Sequence, residues 1–556
     1  MPFRRWAVSS VILTVFLLTL RVSAAVNVKQ PQSIYTELPV ASALCVVCNN
    51  VLRLDQHLNR MEMRIMGTAS QFDELTPLKM VLGPYWNINA PLAFIIPTPA
   101  KGGILTMRNS VLILQATNTA KFIAGLKNGA TKGGITPARI EGSPAYIATR
   151  GPWIFLSASR AELKHYLRAK RGLTLNANMT RAMHHADISV EGDARAVKAD
   201  LLQPLQAAIL PAFQGNQFAK RNTALRAVTH QLDDKIGQQL IHAFQRSVLT
   251  VHVGRQALVI DILNRLHAST PFGKLVASQT PLPANALAGL PNMRYSALFA
   301  NSINGAAVSR WLNTMLPTAT KKQSQALREI RSFSTLVAGH TGTSAIVLPP
   351  IHTPAPAGAA MVNSLAIGPI ILITRSDHPK AQMRHLSNFL KSQVAVKTGK
   401  SENATLTDSR ILGYAAVGLN IAAKPTVESL HHIEMVDIGT HRVLVAVNAP
   451  RKLLLSALAA AKKQRSAIAR RPGLAQSLDK ILPQSFVTAY WPIGRWNQGQ
   501  AKAAVPKAAH ALTLGLPPPP AVFSVGTGKK SLNMQLYIPV ATLEQSLSGN
   551  SAGALF

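Results

Sequence analysis

The sequence predicts an α+β protein of two similar tandem halves, each a mainly antiparallel sheet covered by helices. Short apolar runs alternate with stretches of helical spacing along most of the chain. Two strand pairs are joined by tight turns: Ser247–Val253 to Leu258–Leu263 through Gly254, and Val522–Thr527 to Leu532–Ile538 through Gly528. The order of elements leading to the first of these hairpins recurs ahead of the second.

Residues 1–25 read as an export signal. Arg4 and Arg5 precede the apolar run Ala7–Leu20, and Val22-Ser23-Ala24 or Ser23-Ala24-Ala25 offers a small-residue cleavage site. The run is shorter than the roughly 20 residues of a spanning helix; retention as an N-terminal anchor is the alternative. Beyond it no segment has spanning length, so a soluble mature chain outside the cytoplasm is expected.

Ala43–Asn49 is a short buried strand followed by Leu52–Met66, with Leu52, Leu54, Leu58, Met61 and Ile65 at near-helical spacing. SALFANS, after Tyr295, and Ile303–Leu316 repeat this pair, Asn49 matching Asn301. The strand PLAFIIP, Pro91–Pro97, matches SAIVLPP, Ser344–Pro350, with the loops KGG and HTPAPAG after them. SVLILQA, Ser110–Ala116, leads into a helix carrying Phe122, Ile123 and Leu126. PIILITR, Pro369–Arg375, leads into one carrying Met383, Leu386 and Leu390, and Ile113 matches Ile373. Ile140-Glu141 matches Ile433-Glu434, which reads the two glutamates as strand-edge or capping groups of a shared geometry.

Trp153–Leu167, WIFLSASRAELKHYL, is echoed by Val443–Ser456, VLVAVNAPRKLLLS: an apolar strand, a small-residue turn and a basic helix, Leu163 matching Leu453. Phe218–Phe244 sets Leu225, Val228, Leu232, Ile236, Leu240 and Phe244 on one stripe, an amphipathic helix ahead of the first hairpin. The spacing between partners drifts as insertions would make it drift, while their order holds. The halves are then 26–268 and 293–556, with Pro271, Pro281 and Pro283 marking 269–292 as a proline-containing linker.

The chain carries 59 Lys+Arg against 23 Asp+Glu, a net charge of +36. So large a surplus attracts anionic lipid or polysaccharide in a salt-dependent way, and export removes intracellular nucleic acid from the expected partners. The charge is spread along the chain, with two basic helices standing out. Arg160, Lys164 and Arg168 follow i, i+4, i+8 spacing, with Lys170 and Arg171 after them; Arg451, Lys452, Lys462, Lys463 and Arg465 lie on the echo. These ten are the candidate anion-binding residues, set against a plain solvated helix face.

Reaction chemistry is harder to find. Cys45-Val-Val-Cys48 sits in an apolar strand, where residues three apart face opposite ways, so buried unreactive thiols are expected. Thr398-Gly399-Lys400-Ser401 ends like a phosphate loop, but Val394 stands where the first glycine belongs. Val525–Lys530 falls in a hairpin. The pairs His184-His185 and His431-His432 diverge on either type of element and make poor chelates. Gly339-His340-Thr341-Gly342-Thr343 has threonine, not serine, at the centre of a nucleophile elbow and its second glycine one place early, so it reads as a turn. Catalytic residues, metal ligands and cofactors are therefore not assigned.

The pieces PLAFIIPTPAKGG, IEGSPAYIATRGPWIFLSASRAEL and STPFGKLVA give the chain a further meaning. It resembles large uncharacterised exported bacterial proteins of the type common in planctomycete genomes. The resemblance covers most of the mature chain and implies export, with no catalytic residue to carry over. The function expected is that of a non-catalytic periplasmic or envelope protein that binds or scaffolds, its basic surface suited to anionic partners. The alternative is an exported hydrolase with a cleft between the halves.

Overall fold

The computed structural model describes residues 33–66, 80–98, 109–193, 223–316, 324–348, 369–398, 404–421, 432–492 and 518–548, apart from 41, 174, 440, 464–467 and 529. The export-signal segment 1–25, the KGG and HTPAPAG loops, His431, Gly399–Ser401 and Arg465 lie outside the described residues. Two compact units form, one from residues 1–201 and 244–265, the other from 202–243 and 266–556.

In the first unit β1 (Leu44–Cys48) is followed by α1 (Val51–Met66), β2 (Leu92–Ile96), β3 (Val111–Gln115) and α2 (Thr119–Leu126). Then come β4 (Ile135–Ile140), β5 (Ser143–Arg150), β6 (Trp153–Ser157), α3 (Arg160–Arg168), α4 (Ala177–His185) and β7 (Ile188–Gly192). After α5 (Thr223–Ala243), which belongs to the other unit, β8 (Phe244–Val253) and β9 (Ala257–Leu266) close the series. The pairings are antiparallel and run β4-β5-β6-β3-β2-β1-β7-β8. The turn into β9 is closed by the Gly254 N–H donating to the Ala257 carbonyl at 2.9 Å.

The second unit contains α6 (Pro271–Ala277), β10 (Ala297–Asn301), α7 (Gly305–Met315), α8 (Ser324–Ala338), β11 (Ser344–Leu348), β12 (Ile370–Arg375) and α9 (Pro379–Thr398). It continues with β13 (Ala404–Ile411), β14 (Tyr414–Ile421), β15 (His432–Asp437), β16 (Arg442–Val447), α10 (Arg451–Lys463) and α11 (Leu474–Ser477). It ends with β17 (Ser485–Trp491), β18 (Ala521–Gly528), β19 (Ser531–Pro539) and α12 (Val540–Ser548). Its strand order is β13-β14-β15-β16-β12-β11-β10-β17-β18-β19, again antiparallel. β10–β12 thus occupy the places of β1–β3, β14–β16 those of β4–β6 and β17–β19 those of β7–β9, while β13 is an addition beyond β14. The α+β class and antiparallel sheets agree with the sequence reading.

Strands such as β2 and β6 are buried along their whole length because both faces are covered. On one face of the first sheet Cys45, Ile95, Ile113 and Phe155 meet Leu163 and Tyr166 of α3 and Met179 and Met183 of α4. On the other, Cys48, Leu92, Leu114 and Ile154 meet Leu54 of α1, Phe122 of α2 and Trp86. The second sheet places Leu298, Val347, Ile371 and Leu444 against Leu454 and Leu458 of α10. Its opposite face sets Met435, Val443 and Val445 against Met383, Leu386 and Leu390 of α9. Each fully buried leucine or isoleucine contributes roughly 2 kcal/mol relative to exposure. Asparagine and hydroxyl caps start the helices: Asn50 accepts from Arg53 N–H at 2.8 Å, Ser159 from Glu162 at 3.3 Å and Asn304 from Ala307 at 3.0 Å.

Several expectations need correction. The segment 269–292 is part of the second unit, not a linker. Pro271 takes the first position of α6, where a missing N–H costs nothing, and Thr270 caps Gly273 N–H at 3.0 Å. Downstream, Leu287 and Leu290 are buried in the second core. From the expected amphipathic stretch, Leu232 and Ile236 of α5 pack in the second unit against Met315 and Trp311, while Phe244 already begins β8. Glu141 sits in the β4–β5 turn at φ +49° and Glu434 inside β15, so they are not equivalent. The strand registers set Cys48, rather than Asn49, in the place of Asn301. Cys45 and Cys48 are free and buried, and fall into different cores on opposite sheet faces. Burial pushes both thiols up, Cys48 to about 12.

Candidate functional site

The first basic helix is built so that one side is fixed and the other is free to meet solvent. Leu163 and Tyr166 anchor α3 in the core, and the Tyr166 hydroxyl donates to the Glu37 carbonyl at 2.7 Å. On the outer side Arg160, Lys164 and Arg168 are exposed, as is Lys170 just beyond. Arg160 also donates to the Lys132 carbonyl at 3.0 Å, tying the helix start to a turn. Arg171 departs from the expectation. Its guanidinium lies 3.2 Å from the Glu37 carboxylate, which Arg150 approaches to 3.3 Å from another side. That cation is committed to holding 33–40 against the helix, and is no longer a free anion contact.

On α10 the buried side is Leu454, Ala457, Leu458 and Ala461, and Arg451, Lys452, Lys462 and Lys463 are exposed. Lys462 and Lys463 in the last turn suit the helix dipole, whereas Arg451 and Lys452 in the first turn oppose it. Arg442, which sequence reading passed over, donates to the Ala461 carbonyl at 3.2 Å and faces Arg375 across the β12–β16 pair. Burial and then Arg375 lower its affinity for the proton. Only sheet register reveals that pair.

A second feature lies on the other face of the same sheet. A pocket of about 320 Å³ has β10, β11, β12 and β16 as its floor and α8 and α9 as its walls. Ile346, Leu372, Val443 and Val445 from the strands, with Leu336, Val337, Met383 and Leu386 from the helix side, make it apolar. One end is polar. His340 Nδ1 lies 2.9 Å from Thr374 Oγ1, and the Ser344 hydroxyl donates to the same oxygen at 2.9 Å. Ser344 Oγ also stands 3.4 Å from His340 Nε2. Burial lowers the His340 pKa, so the ring is neutral near pH 7. Gln382 Oε1 is buried there without a hydrogen-bond partner among the described residues.

A serine beside a histidine raises hydrolysis, but a triad needs an acid to orient the ring. Among the described residues the partners of His340 are Thr374, Ser344 and the Gly342 backbone, none of them a carboxylate. The pocket thus combines an apolar body with one polar end built from His340, Ser344 and Thr374. Among the described residues no group of three His, Cys, Asp or Glu side chains could hold a metal ion, and no helix is long and apolar enough to cross a membrane. Sequence reading treated Gly339–Thr343 as a turn and Ser344 as the start of a strand; both are true, and neither shows that the two flank one pocket.

No protein-family model and no curated protein matches the chain. The solved structure described as crystal form III of TP0453 is similar at a TM-score of 0.23 and 11% identity, over 49% of this chain and 100% of that one. A likeness of that size carries no argument about fold or function.

Proposed function

We propose that the protein is a non-catalytic exported envelope protein that binds or scaffolds, its cationic helix faces engaging an anionic envelope lipid or polysaccharide, and that its two units descend from one duplicated block. The supporting observation is the exposed row Arg160, Lys164 and Arg168 on a helix whose opposite side is locked into the core. Acids are too few to neutralise such faces, with 23 Asp+Glu for 59 Lys+Arg. The shared strand order of the two units supports the common origin.

Sedimentation with phosphatidylglycerol vesicles, against phosphatidylcholine vesicles as control, tests the reading. Binding is expected at low salt and lost at high salt. Each cation near an anionic surface contributes about 1 kcal/mol, so Lys164→Gln with Arg168→Gln should weaken binding roughly thirtyfold. No binding to either vesicles or an anionic envelope polysaccharide at low salt removes the proposal. Arg451→Glu separates function from stability. It should stabilise the start of α10 by about 0.5 kcal/mol in urea unfolding, while weakening vesicle binding.

A further inference from the structure

We propose that the second unit holds a binding site for an uncharged, mainly apolar small molecule bearing one hydrogen-bond donor, in the pocket that ends at His340, Ser344, Thr374 and Gln382. This goes beyond the surface reading above and does not depend on it, while the comparison of the two units rests on their proposed common origin.

The argument rests on what the same position looks like in the first unit. Register fixes the correspondence: Ala93 pairs with Ile113 as Ala345 pairs with Ile373. One residue along, Leu92 and Leu114 therefore occupy the places of Ser344 and Thr374, and Cys48 that of Asn301. The Asn87 N–H donates to the Gln115 carbonyl as the Thr341 N–H does to that of Arg375, which sets Trp86 in the place of His340. In the first unit Trp86, Leu92, Leu114 and Cys48 pack into one closed apolar core. The second unit replaces an indole by an imidazole, two leucines by Ser and Thr, and a thiol by an amide, all at adjoining positions of one sheet face.

Scattered drift would not put all four polar changes on the wall of one pocket. Among the described residues the pocket opens to solvent, which gives a ligand a way in. The volume corresponds to on the order of ten water-sized groups, enough for a compact apolar body. Among the described residues the lining has no Lys, Arg, Asp or Glu, in a chain with 59 Lys+Arg. A charged ligand would therefore be desolvated without a counter-ion, and a neutral one is selected. Gln382 Oε1 supplies the buried acceptor that a ligand O–H or N–H would satisfy.

The test uses N-phenyl-1-naphthylamine, a neutral fluorophore with one N–H, and 1-anilinonaphthalene-8-sulfonate, of the same skeleton with an anionic group, on the full chain. The neutral probe should saturate at one site per chain, unaffected by salt, and the anionic probe should not displace it at high salt. His340→Trp with Ser344→Leu and Thr374→Leu rebuilds the first unit's plug, and should fold while binding the neutral probe at least tenfold more weakly. Gln382→Leu should weaken it about fivefold and leave the donor-free 1-benzylnaphthalene unchanged. Equal affinity in the folded plug variant, or no saturable binding by the natural chain, overturns the proposal. Should the plug variant fail to fold, the Gln382→Leu comparison decides: equal affinity for the amine then overturns it.

Discussion

Asp187→Ala is expected to destabilise the first unit by about 2 kcal/mol, read from urea unfolding and from faster hydrogen exchange of β7 and β8 amides. The residue is 5% exposed and sits where α4 hands over to β7. Its Oδ2 accepts from Val253 N–H at 2.9 Å, which fixes the end of β8. Its Oδ1 lies 3.2 Å from both Arg53 Nε and His57 Nδ1, side chains one turn apart on α1. Truncation would strand the Val253 amide and remove the negative charge that faces Arg53 and His57, and the stranded amide is the main cost. Asp187→Asn keeps an acceptor for Val253 but loses the charge, so a loss nearer 1 kcal/mol is expected. Equal stability of the alanine variant and the natural chain would show that α1 does not depend on this junction.

That junction also illustrates what could be read from the sequence. The elements were legible because their periodicity is local. α1, α3 and α10 carry their leucines at helical spacing, and the pairs Ile113 with Ile373 and Gly254 with Gly528 fall on corresponding strands and hairpins. The sheet order was not legible, since β1 pairs with β7, β3 with β6 and β10 with β17 across long separations. Nothing in the sequence singles out Asp187, because its partners come from α1 and β8. Proline misled at 269–292 because Pro271 opens a helix as readily as it marks a linker. The basic residues of α3 were foreseen in kind, yet Arg171 could be assigned to Glu37 only once 33–40 was seen lying against the helix. The pocket needed register most of all. Ser344 and Thr374 become informative only when aligned strand by strand with Leu92 and Leu114.

Stability of the first unit should fall as pH rises from about 4.5 to about 7, and Glu191→Gln should abolish that part of the fall. Glu191 is fully buried on β7, directly opposite Cys45 of β1. Arg246 of β8 reaches its Oε1 at 2.8 Å and the Ser42 hydroxyl its Oε2 at 3.2 Å. Burial nonetheless outweighs the attraction of Arg246, and with Asp193 nearby the carboxyl is pushed up from 4.5 to about 7. The folded chain thus holds a proton that the unfolded chain has released. The contribution is fully present below about 4.5, declines through the interval, and is gone above about 7. The shift corresponds to on the order of 3 kcal/mol. Glutamine keeps the shape of the protonated acid and cannot ionise. The stability of the variant relative to the natural chain should therefore climb with pH by that amount, measured as urea midpoints between pH 4 and pH 8. Parallel profiles for the two proteins would mean that Arg246 keeps Glu191 ionised throughout, and that β1, β7 and β8 are joined by a permanent ion pair instead of a proton taken up as the surroundings acidify.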